Sequence, residues 1–165
     1  MSPSGPQTRE TTLRHVTHSF CNALLSPPPS PSDLLAQFFT STPTIHEHGP
    51  SFATPRLPFL GHAFTGFEAC ESYFALLDNT LSMELPADAF PGPEGFVVDV
   101  DAVVAGVQGK GVVNVVGKGR FESKKSGEGW DEVFGYRFSG FDDEGRFERW
   151  EIWADPLSAW VAVGE

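Results

Sequence analysis

A chain of 165 residues, 40% hydrophobic and 13% aromatic, is long enough to fold as one domain around a sizeable core. Its formal net charge is −11 and its basic residues are scattered, which argues against nucleic acid and anionic membrane surfaces as partners. The polar Met1–Glu10 segment lacks the apolar stretch of a secretory leader and no run is long enough to span a bilayer, so a cytoplasmic protein is expected.

In chain order, residues 1–10 read as a disordered N-terminus preceding a single domain over 11–165. From Thr11, Leu13, Val16, Phe20 and Leu24 recur at helical spacing. The Pro-rich segment from Ser26 to Pro31 must end that helix. Ser32 or Asp33 is placed to cap a second, short helix with Leu34, Leu35, Phe38 and Phe39 inward. Thr44 to His48 reads as a short strand and Gly49 to Gly61 as a loop. A third helix is expected from about Phe67 to Leu81, with Cys70, Tyr73, Phe74 and Leu77 on its apolar stripe. Both cysteines, Cys21 and Cys70, fall at apolar helical positions and read as buried free thiols.

After a Pro/Gly stretch over 86–95, four strands are expected at 96–107, 111–122, 130–140 and 146–154, joined by short Gly-containing turns as an antiparallel meander. Asp155 followed by Pro156 marks the start of a last helix. Helices first and a meander afterwards is an α+β order. The 96–107 run is apolar on both faces, so one sheet face needs a cover beyond the helices; a homodimer through the outer sheet face is expected.

Each strand carries a polar or ionisable residue inside its apolar pattern: Asp99 and Asp101, Asn114, Glu132, Glu151. Unpaired buried charge is costly, so such residues either line a chemical pocket or are paired at the rim. Asp99 and Asp101 share a face, and Asp101 lies deeper in the run. Glu132 shares a face with Trp130, Phe134 and Tyr136, as a pocket acid or as the partner of an arginine; the Tyr136 hydroxyl is placed to donate to a substrate oxygen. Glu151 and Trp153 share a face with Arg149, which favours a salt bridge. Asn114 reads as buried and hydrogen-bonded. His46, Glu47 and His48 put two proton carriers within three residues: if they are in a strand, the histidines face one way and Glu47 the other, and only one set points inward. A zinc site from His46 and His48 lacks an obvious third ligand. Arg56 is suited to hold a carboxylate or enolate oxygen, and His62 to local hydrogen bonding.

The segments Glu47–His48–Gly49–Pro50, Leu57 to Gly66 with its Pro58, Phe59, Gly61 and His62, Tyr73–Phe74, and Trp150 to Leu157 together resemble the SnoaL-like branch of the NTF2-like superfamily, in its fungal secondary-metabolism type. The resemblance covers about residues 44–81 and 130–162. It implies an NTF2-like cone, N-terminal helices packed on a strongly curved antiparallel sheet. The Pro-rich linker before the second helix departs from the family pattern. The family includes cofactor-free isomerases, cyclases, dehydratases and epoxide hydrolases, and also non-catalytic ligand- or protein-binding members. It therefore implies an enzyme without cofactor or metal, acting by His/carboxylate acid–base chemistry on a small apolar organic substrate. His48, Glu47, Asp101 and Glu132 are the expected catalytic residues, in that order. His46, Arg56, His62, Tyr73, Asn114, Tyr136, Glu151 and Trp153 are expected around the substrate. The alternative is a binding module whose acids are paired with arginines and whose cone is filled by phenylalanine.

Overall fold

A computed structural model describes residues 6–25 and 28–165. Among them are four α-helices, α1 (Pro6–Ala23), α2 (Pro31–Phe38), α3 (Phe67–Thr80) and α4 (Pro156–Val163), and seven strands, β1 (Phe39–Glu47), β2 (Ala63–Thr65), β3 (Leu81–Glu84), β4 (Val97–Asp99), β5 (Lys110–Ser123), β6 (Gly129–Phe141) and β7 (Phe147–Trp153). One sheet runs β2–β1–β7–β6–β5–β3, with β4 on the far half of β5. The β5–β6–β7 pairs are antiparallel, as the short turns require. The β1–β7 pair is parallel, so the sheet is mixed and not the antiparallel one expected. The long helical excursion between β1 and the meander allows this, because a parallel pair needs a long crossover connection.

Several boundaries differ from the sequence reading for local reasons. The first helix begins at Pro6 instead of Thr11, so only residues 1–5 of the expected disordered N-terminus lie outside the described residues, as do Ser26 and Pro27 of the linker. Ser30 caps α2, its hydroxyl accepting from the Asp33 amide at 3.2 Å, in place of Ser32 or Asp33. Phe39 leaves that helix and opens β1, whose register shifts between Phe39 and Thr44, the stretch that contains Pro43. The expected strand over 96–107 stops at Asp99. The Asp99 carboxylate accepts from the amides of Asp101 (3.0 Å) and Ala102 (3.1 Å), and this side-chain turn replaces the ladder.

The core lies between the helices and the inner sheet face. Phe20 of α1 is fully buried and meets Phe38, Phe39, Phe138, Phe147 and Trp150 edge-on at 5.0–5.7 Å between ring centres. Edge-to-face pairs each add about 0.5–1.5 kcal/mol beyond the area they bury, so this ring fixes α1 and α2 on the sheet. On β5, Val113, Val115 and Phe121 face inward, and Gly117 leaves space on the same face for Phe90 and Phe134, whose rings a Cβ would meet at 2.7 and 2.6 Å. Cys21 and Cys70 are buried free thiols. No helix among the described residues is long and apolar enough to cross a membrane.

Candidate active site

Between α2, α3, α4, the 57–60 loop and the inner sheet face lies a cavity of about 820 Å³. Its walls are mostly apolar and aromatic, with Phe74 and Leu77 from α3, Phe134 and Tyr136 from β6, and Trp150 and Ile152 from β7. The polar groups that converge on it come from β1, α3 and β6.

Glu47 ends β1. Its neighbour two residues back, Ile45, is fully buried, and strand alternation puts Glu47 on the same inner face. The backbone holds it from both sides. Glu47 pairs in register with Ile152 of β7, and its carbonyl accepts from the Gly61 amide at 3.0 Å. Gly61 has φ +88°, and a Cβ there would sit 2.6 Å from the Pro50 carbonyl oxygen, so only glycine suits this position. The Glu47 side chain is 8% exposed; Oε1 accepts from the Tyr73 hydroxyl at 2.7 Å, and Oε2 has no hydrogen-bond partner among the described residues. Burial pushes its pKa from 4.5 up to about 7, against the Tyr73 hydrogen bond and with help from the nearby charge of Glu132. Tyr73 is itself raised well above its ordinary value by burial and by Glu47, so it remains a proton donor.

Glu132 faces the cavity from β6. Its Oε1 accepts from Trp130 Nε1 at 2.9 Å and its Oε2 from the Asp155 amide at 3.0 Å. Burial raises its pKa, and those two hydrogen bonds hold the rise down. It is therefore a pocket acid and not an arginine partner. Tyr136, two strand turns along the same face, lines the cavity, and its hydroxyl makes no hydrogen bond among the described residues. The arrangement is a proton acceptor (Glu47), a second fixed carboxyl group (Glu132) and a free hydroxyl donor (Tyr136) inside an aromatic cavity.

The other candidates lie elsewhere. His46 and His48 share the outer face of β1, so neither brings a proton carrier to the cavity, and the first expected catalytic residue, His48, is on the wrong side of the sheet. Their rings stack at 4.0 Å, and His48 stacks on Trp153 at 4.4 Å and 7°. His48 Nε2 bonds Glu151 Oε1 at 3.0 Å, and Arg137 reaches Glu151 Oε2 at 2.7 Å. With Arg149 Nε at 3.8 Å, Glu151 is the buried centre of an outer-face ion-pair network. Burial pushes the Glu151 pKa up, but these hydrogen bonds and charges together hold it below the ordinary value. His46 is lowered by burial and by the positive groups around it. Asp101 is exposed in the turn after β4. Asn114 is exposed on the outer face of β5, because the Val112–Val116 run alternates and Val113 and Val115 take the inner side. Arg56 lies 3.7 Å over the Trp160 ring and donates to its carbonyl. His62 is exposed beside Phe64. Among the described residues, no three of His, Cys, Asp and Glu are grouped so as to hold a metal ion.

Three contributors escape the sequence reading: Trp130 and Asp155 as the groups that orient Glu132, and Trp150 as a wall. Trp130 was legible in principle, since two residues along a strand on one face bring an indole N–H beside a carboxylate. Asp155 comes from another element and leaves no such trace.

No protein-family model matches the chain, and no curated relative matches it by sequence. Solved structures do match it. An NTF2-like protein from Burkholderia xenovorans LB400 superposes with a TM-score of 0.62 at 12% identity, over 98% of this chain and 100% of that one. TerC, co-crystallised with polyporic acid, gives 0.63 at 12% over 92% and 98%. A ketosteroid isomerase-like protein from Erwinia carotovora atroseptica SCRI1043 gives 0.56 at 10% over 88% and 95%. The chain therefore has the NTF2-like fold, and at these identities the likeness shows the fold alone.

Proposed function

We propose that this chain is a cofactor-independent isomerase or cyclase of the SnoaL-like, fungal secondary-metabolism type, moving a proton on a small apolar intermediate held in the cone. The observation that carries the reading is Glu47: nine-tenths buried, anchored by Tyr73 at one oxygen, open at the other, with its pKa pushed up by burial to about 7 and no Arg, Lys or His among the described residues lining the cavity. A carboxylate poised near the working pH both takes and returns a proton. Glu47 Oε2 removes a proton from carbon next to a carbonyl, and the electron pair moves onto the carbonyl oxygen, where the Tyr136 hydroxyl donates. The enolate then either recovers the proton at another carbon, which is isomerisation, or attacks an electrophilic carbon of the same molecule, which closes a ring. Glu47 returns its proton to the oxygen released in the second case; opening of an epoxide by the same attack is the closest variant. A fold neighbour named for ketosteroid isomerase and another co-crystallised with polyporic acid are in keeping with this chemistry.

The test is hydrogen–deuterium exchange at the α-carbon of a panel of apolar ketones and β-keto esters in D₂O, followed by NMR. Catalysed exchange that falls by roughly 100-fold or more in Glu47→Gln is expected. Ligands that bind with no exchange in the wild type would assign the cavity to a binding module instead.

A further inference from the structure

The strands of this sheet sort charge by face. On β1 and the residue after it, on β6 and on β7, the basic side chains His46, His48, Arg137 and Arg149 stay on the outer side, around Glu151. The inner side of the same sheet presents Glu47 and Glu132, and none of the described residues lining the cavity is basic. Three further acids stand among its lining residues, Glu71 and Asp78 on α3 and Asp155 before α4; of these Asp78 is paired with Lys124 outside the cavity, at 3.5 Å. The donors that hold Glu132 and Glu47 are an indole N–H, an amide and a phenol, none of which carries charge. Neither carboxylate therefore has a counter-ion, although Glu47 is more than nine-tenths buried and keeps one oxygen without a partner. An uncompensated buried charge is expensive, and a positive group within reach relieves it. Around the two acids stand the rings of Phe74, Phe134, Tyr136 and Trp150, whose faces attract cations.

We propose that the cavity takes a ligand bearing a positive charge on an apolar body, a protonated amine or a cationic nitrogen that forms during reaction, with Glu47 and Glu132 as its counter-ions and the aromatic walls around it. This rests on the cavity being the reacting site, and it narrows the substrate class from apolar intermediates in general to nitrogen-bearing ones. A neutral ligand leaves the charge of Glu132 opposing the ionisation of Glu47. An anion adds a third negative charge with no cation to receive it. A cation pairs with both and keeps Glu47 ionised, the form in which it accepts a proton.

The probes are three naphthalenes of one shape, 1-naphthylmethylamine, 1-naphthalenemethanol and 1-naphthoate, titrated calorimetrically against the full chain near neutral pH at moderate salt. The amine is expected to bind about tenfold or more tightly than the alcohol, with the carboxylate weakest. Glu47→Gln and Glu132→Gln are each expected to remove most of the amine's advantage while leaving the alcohol's affinity within about twofold, which also shows that the variants fold. An alcohol that binds as tightly as the amine overturns the charge preference and leaves the cavity reading standing. An amine advantage that survives both substitutions belongs to the acidic surface at large and also overturns it. Failure of all three probes to bind overturns the cavity reading and the proposal together.

Discussion

Glu47 shows how a single carboxyl group couples chemistry to stability. The unfolded chain releases its proton near the ordinary value of 4.5, whereas the folded chain holds it to about 7 because ionisation inside the cavity is disfavoured. Between those two values the folded state binds more protons, so its contribution is fully present below 4.5 and is lost as pH rises through 7. Relative to Glu47→Gln, the wild type is expected to lose on the order of 3 kcal/mol between about pH 4 and pH 8, measured by urea denaturation at both ends; an unchanged difference would show that Glu47 titrates as an exposed acid. Tyr73 works in the opposite direction, since its hydrogen bond favours the ionised form. Tyr73→Phe should therefore raise the Glu47 titration midpoint further above 7, read by carboxyl-carbon NMR, and move any exchange profile to higher pH with it. The sequence already showed that Glu47 and the two histidines face opposite ways. Which side is inward stays open in the alternation alone, and Ile45 is the residue that decides it: an apolar residue two positions from Glu47 marks the core face, while Thr44 and His46 mark the other. Asp101 was misplaced because an Asp-x-Asp pair in an apolar run also makes a side-chain turn, and alternation alone does not separate the two.

At the scale of elements, the outer network around Glu151 ties β1, β7 and β6 together. Arg137 is its direct cross-strand neighbour, and His48 reaches it from just past the end of β1. Charge-assisted hydrogen bonds contribute roughly 1.5–3 kcal/mol each. The basic partners here are partly exposed, so water recovers some of the loss. Glu151→Ala is expected to destabilise the fold by about 2–3 kcal/mol in chemical denaturation, and to leave naphthalenemethanol binding in the cavity unchanged when assayed below the transition. A loss of binding in the folded variant would place the network in the site itself. The three long strands were legible within two residues because Gly- and Asp-containing turns bound them sharply. The short β2 and β3 were not, since three or four residues are defined by their partner strands and leave no alternation of their own. The same holds for the parallel pairing of β1, which depends on where α3 returns the chain.

Over the whole molecule, the inner sheet face is occupied by helices and cavity, while the outer face keeps an apolar group unburied. Val116 and Val133 are 61% and 68% exposed there, on adjacent strands, and Val97 and Trp153 stand near them at 66% and 43%. One apolar residue of this kind on a surface is ordinary, but several on one sheet face form a patch of the kind that marks an interface. We propose that a twofold homodimer forms through this face and buries the patch against itself. Sedimentation velocity at micromolar concentration is expected to show a dimer for the wild type and a monomer for Val133→Asp, because a carboxylate in the apolar patch must be stripped of water on assembly even with Lys118 as its cross-strand neighbour. A wild-type monomer at those concentrations would show that the face stays open to water. The described cavity lining comes from one chain, with Glu47, Tyr73, Glu132 and Tyr136 all on elements of the same cone. Monomeric Val133→Asp should therefore still bind the neutral naphthalene with wild-type affinity, which separates assembly from the chemistry of the cavity.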